Sequence, residues 1–82
     1  MERIFANNIK KELKHSIKSD VFVHVENDTL IVDIQPEGGY ARRYTISNLA
    51  NQLAMGLSSI NVSRSIIAKY KNYILSKYFY KK

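Results

Sequence analysis

The chain has 82 residues, 45% of them hydrophobic and 24% charged, with no cysteine and a net charge of +6. A chain this short forms one domain with one modest core, since it buries only about 60% of its unfolded surface, and the missing cysteines exclude disulfides, thiolate catalysis and thiolate-held metals. No apolar run reaches the roughly 20 residues of a membrane span, and MERIFANNIKKELK lacks a signal peptide's apolar core, so a cytoplasmic protein is expected.

Phe5, Ile9, Leu13 and Ile17 recur every four residues, with Ala6 beside them and lysines elsewhere, so residues 2 to 17 are expected to form an amphipathic helix. SDVFVHVENDTLIVDIQ then alternates with period two, and Asn27-Asp28 stands where a two-residue hairpin turn belongs. With that turn as centre, Val25 faces Leu30, Val23 faces Val32 and Val21 faces Ile34, all on one face. Phe22, His24, Ile31 and Asp33 take the other face. Pro36 cannot donate to a ladder, so Glu37-Gly38-Gly39 reads as a three-residue loop into a third strand, YARRYTI. Val32 then opposes Tyr44, Leu30 opposes Ile46, and Asp33 opposes Arg43 as a cross-strand ion pair, with Arg42 beside Ile34.

Ser47 is expected to cap a short helix carrying Leu49, Ala50, Leu53 and Ala54, ending near Gly56. Ser59 or Asn61 would cap a longer helix with Ile66, Ile67, Tyr70, Ile74 and Tyr78 inward, Lys69, Asn72, Ser76 and Tyr80 opposite, and Lys71 and Lys77 flanking. The order α-β-β-β-α-α predicts a single α+β domain over residues 1–82, with the helices packed on one face of a three-stranded antiparallel sheet.

No catalytic site, metal site or cofactor is expected. His15 falls on the polar side of the first helix and His24 on the outer face of a strand, neither with ligand spacing, the acids are scattered, and the Gly-Gly pair leads into a strand rather than a phosphate-cradling helix. Such a chain is expected to act by binding, not on a small-molecule substrate. The charge is divided unevenly. Residues 1 to 37 hold all seven acids and five cations, a net of −2, whereas residues 38 to 82 hold eight cations and no acid, a net of +8. That asymmetry points to a polyanion, either nucleic acid or the acidic surface of a nucleoprotein complex. The candidate contacts are Arg42, Arg43, Arg64, Lys69, Lys71, Lys77, Lys81 and Lys82, with Arg42, Arg64, Lys69 and Lys71 foremost. Tyr44, Tyr70 and Tyr78 are expected in the core, and Tyr40, Tyr73, Phe79 and Tyr80 are left as rings for stacking on bases.

Gly56-Leu57-Ser58 followed by Val62-Ser63-Arg64 resembles the turn and recognition-helix start of lac-repressor-type helix-turn-helix proteins, although Gln52 stands where that family has a small alanine. The resemblance implies Ser59, Asn61, Ser63 and Arg64 at a major groove. The TLIVDI and RRYTIS strands and the ending IIAKYKNYILSKYF resemble small accessory proteins of prophages in low-GC bacteria. The element order is similar to that of a small phage-encoded anti-CRISPR protein. These resemblances imply a mobile-element protein in the cytoplasm of a bacterial host. They add a second reading, an inhibitor bound to a host defence nuclease complex. A third reading is a homodimer joined through Phe22, Ile31, Ala41 and Thr45 on the outer sheet face.

Overall fold

The computed structural model describes residues 2–36 and 39–80, and side chains as far as Ser76. In chain order it consists of α1 (Glu2–Ser16), β1 (Asp20–Glu26), β2 (Thr29–Gln35), β3 (Arg42–Ile46), α2 (Leu49–Ala54) and α3 (Ser59–Tyr80). The strands form one antiparallel sheet in the order β1-β2-β3, and the helices pack on one face of it, an α+β fold with the expected element order.

Asn27 and Asp28 both adopt left-handed backbone, with φ of 51° and 56°. Two such residues make the tight turn whose twist matches that of paired strands, and Asn and Asp tolerate it because their short side chains bond locally. The register follows. Val25 pairs with Leu30, Val23 with Val32 and Val21 with Ile34. On the other side of β2, Leu30 pairs with Ile46, Val32 with Tyr44, Asp33 with Arg43 and Ile34 with Arg42. Both registers are those expected from the sequence.

The third strand begins later than expected, at Arg42, and Tyr40 and Ala41 precede it. Instead of extending the ladder, the Gln35 side-chain amide donates to the carbonyls of Pro36 and Gly39 at 3.3 and 3.0 Å. Proline removes the next ladder donor, so the glutamine amide takes over the bonding of this corner. The expected three-residue loop includes Glu37 and Gly38, which lie outside the described residues.

The core is a single cluster. Phe5, Ala6, Ile9, Leu13 and Ile17 form the buried stripe of α1, and Leu13 O accepts from Ile17 N–H at 2.7 Å, carrying the helical turn to the stripe's end. They meet Val21, Leu30, Val32 and Ile34 of the sheet and Val62, Ile66 and Tyr70 of α3. Each large apolar side chain so buried contributes about 1.5–3 kcal/mol. Tyr70 also shares a 3.1 Å hydroxyl–hydroxyl hydrogen bond with Ser19.

The two later helices are capped differently from expectation. Asn48 stands at the N-terminus of α2 in left-handed conformation without a side-chain cap, and Ser47 supplies no cap. Asp28 does so from the hairpin turn: its carbonyl accepts Leu49 N–H at 3.0 Å and its carboxylate accepts Ala50 N–H at 2.9 Å. At the other end Gly56, with φ of 93°, closes α2 through Gly56 N–H to Leu53 O and Leu57 N–H to Gln52 O, a paired closure that favours glycine. Ser58, rather than Ser59 or Asn61, caps α3: its carbonyl accepts Val62 N–H and its hydroxyl accepts Asn61 N–H.

Asp28 therefore holds both a left-handed turn and a helix end. Asp28→Ala should cost about 2 kcal/mol, combining a left-handed alanine with a lost cap, whereas Asp28→Asn, which tolerates the conformation and keeps an acceptor, should stay near wild type. Urea unfolding of both variants measures this, and equal stabilities would contradict the dual role.

Candidate nucleic-acid interface

The sheet separates the neighbouring arginines. Arg43 points to the outer face and bonds the Asp33 carboxylate with two donors, Nε to Oδ1 at 2.8 Å and Nη2 to Oδ2 at 3.1 Å. These bonds hold the Asp33 carboxyl below its ordinary value of 3.8, against a smaller upward push from burial and with further help from the Arg43 and His24 charges. Arg43 is raised by the same bond. Its charge is thus answered within the chain.

Arg42, one residue earlier, stands on the helix side and lies over the Tyr73 ring, 4.3 Å from its centroid. This cation–π contact corrects one expectation. Tyr73 is half-buried, packed on the core and tilted against Tyr70 at 6.3 Å, so it is not a free stacking ring. Tyr44 and Tyr70 belong to or pack on the core as expected, and Tyr40 is 87% exposed.

On α3, Val62, Ser63, Ile66 and Tyr70 are buried, and Ile67, Tyr73 and Ile74 are half-buried. The opposite face is therefore set by geometry. Arg64, Ala68, Lys71 and Leu75 recur at intervals of four, three and four residues and are all exposed, with Asn61 and Asn72 beside them. Arg64 and Lys71 stand two turns apart on this row, about 10 Å along the axis. Lys71 lies on the outward row rather than beside the inward stripe. Lys69, also exposed, sits on the shoulder facing β3, where it borders a cavity.

The expected groove contacts divide. Asn61 is exposed beside Arg64 and Ser59 is half-buried, but Ser63 is 2% exposed and cannot reach a groove. Its position between Val62 and Ile66 places it on the core-facing side, against what the recognition-helix resemblance implies. Ser65 and Ala68, which the sequence did not single out, share the exposed side. Their small size lets a ligand approach the helix backbone. The side chain of Lys77, all of Lys81 and Lys82, and the rings of Tyr78, Phe79 and Tyr80 lie outside the described residues.

Among the described residues, no three or more His, Asp and Glu side chains gather as a metal site requires, and no helix is long and apolar enough to cross a membrane. Scans against protein-family models, curated proteins and solved structures found no match to this chain.

The Asp33–Arg43 pair makes a prediction with a definite sign. A carboxyl lowered by folding stabilises the fold above its ordinary value, and that contribution is lost as pH falls from about 4 through the lowered native value. Melting temperatures of the wild type and Asp33→Asn between pH 6 and pH 2 should show a shallower acid decline in the variant. Parallel curves would contradict the assignment.

Proposed function

We propose that the protein is a non-enzymatic binding module for duplex DNA that uses the outward face of α3. The observation that carries this reading is the row Arg64, Ala68, Lys71 with Asn61 and Ser65 beside it, on a helix without an acidic residue. Cations at this spacing displace counterions from phosphates, while asparagine, serine and alanine suit approach to base edges.

A helix with one exposed polar face fits the major groove of B-form DNA, which is about 12 Å wide, whereas the deep, narrow groove of an RNA duplex excludes it. Recognition of single strands would use exposed rings, and of the described rings on α3, Tyr70 is buried in the core and Tyr73 carries Arg42. The similarity of residues 56–64 to a recognition-helix start accords with this reading through Asn61 and Arg64. The resemblance to prophage accessory proteins accords with it as well, and extends the proposal to a mobile-element protein acting on DNA.

Binding to a labelled DNA duplex, followed by fluorescence anisotropy across a salt series, tests it. The logarithm of the affinity should fall linearly with the logarithm of the salt concentration, and Arg64→Ala and Lys71→Ala should each flatten the slope by about 1. Arg43→Ala, removing a cation already paired with Asp33, should change it far less. A slope near zero, or one insensitive to Arg64 and Lys71, would overturn the proposal.

A further inference from the structure

The outward face of α3 has an order across its width as well as along its length. In an α-helix each residue advances about 100° around the axis. On that wheel Arg64 and Lys71 stand about 20° apart at one margin of the exposed arc, and Lys69 stands about 140° round from Arg64 at the other. Between these margins, in order, lie Leu75, Ala68, Asn61, Asn72, Ser65 and Ser76, all exposed and none charged. Asn61 enters the cap of α3 only through its backbone N–H, so its side-chain amide is left out of that bond.

A helix seated in a major groove meets the two phosphate strands at its sides and the base edges beneath its middle. The arc of α3 divides in the same way, with cations at both sides and small or amide side chains between them. The groove is about 12 Å wide and a helix with its side chains about 10–12 Å across, so the two margins reach opposite strands together. Residue type then selects the base. An asparagine amide presents a donor and an acceptor side by side, which matches the ring-nitrogen acceptor and exocyclic amino donor on the major-groove edge of adenine. Guanine offers two acceptors there and is read by Arg or Lys, and cytosine offers a donor read by Asp or Glu. The band between the margins holds neither kind, and α3 has no acid at all. Ala68, next to Asn61 on the wheel, supplies the apolar contact that suits the methyl group of thymine.

We infer that α3 reads adenine in the major groove, with Asn61 and Asn72 as the residues that set a preference for A·T pairs. The inference rests on the DNA-binding reading proposed above and adds which duplexes that surface selects. Asn61 and Asn72 face the same way but stand about 16 Å apart along the axis, so they read different base pairs with Ala68 between them. Arg64, Lys71 and Lys69 hold phosphates and contribute affinity without preference.

The test compares alternating A·T and alternating G·C duplexes of equal length, by fluorescence anisotropy with the full chain across a salt series. The A·T duplex should bind about tenfold more tightly for each asparagine contact made. A narrow minor groove also favours A·T sequences. A third duplex therefore carries 7-deazaadenine in place of adenine, which removes the major-groove ring acceptor and leaves base pairing and the minor groove intact; it should lose the preference. Asn61→Ala and Asn72→Ala, at exposed helix positions where alanine is favoured, should each reduce the A·T preference about tenfold and leave the salt slope unchanged, the reverse of Arg64→Ala. Equal affinity for A·T and G·C duplexes with a steep salt slope would overturn this inference and leave the DNA-binding reading standing. A preference that survives 7-deazaadenine, or survives both alanine substitutions, would overturn it in the same way. Absence of binding to every duplex at low salt would overturn both.

Discussion

The left-handed pair Asn27-Asp28 sets the parity of every strand residue that follows it. Side chains alternate between sheet faces with a period of two, so a slip of one residue would turn Phe22, His24, Ile31 and Asp33 inward and expose the aliphatic set. The observed turn places Val21, Leu30, Val32 and Ile34 under α1 and α3. Asp28 then reaches across to the start of α2, so the element that fixes the sheet register also anchors the first helix after the sheet. In a chain with so small a core, one turn holding two tasks is an economical source of order.

The same parity decides the fate of the adjacent arginines. Arg43 turns outward and meets Asp33, while Arg42 turns toward the helices and covers Tyr73. Two cations that look equivalent in the sequence are thereby removed from the pool of unengaged charge by different means. Arg64, Lys69 and Lys71 on α3 are left as exposed cations with no ion pair or ring contact among the described residues, Arg64 and Lys71 on the outward row and Lys69 beside the cavity. The proposed DNA-binding surface takes the outward row.

Much of the fold was legible in the sequence because its determinants are local. Period-two alternation, a turn of two tolerant residues and a four-residue apolar repeat each state their geometry within a few positions. The ion pair of Asp33 with Arg43 followed from register alone. Contacts between distant elements were less accessible. The cap that Asp28 gives α2 joins a turn to a helix across 22 residues, and no local pattern distinguishes it from a cap by Ser47. The resemblance of residues 56–64 to a recognition-helix start implies Ser63 at a groove, but the helix phase set by Val62, Ile66 and Tyr70 carries it inward. The cavity beside Lys69 arises from packing: α3 crosses the sheet so that a gap remains beside β3, and strand order with helix phase does not specify that gap.

The outward face of α3 as the DNA-binding surface is most directly tested by mapping amide shifts of the full chain as a short DNA duplex is added at low salt. The account predicts that the perturbed residues trace one row, from Asn61 through Arg64, Ala68 and Lys71, while Phe22, Ile31 and Arg43 on the outer sheet face stay still. Perturbations centred on that outer face, or none along α3, would contradict it.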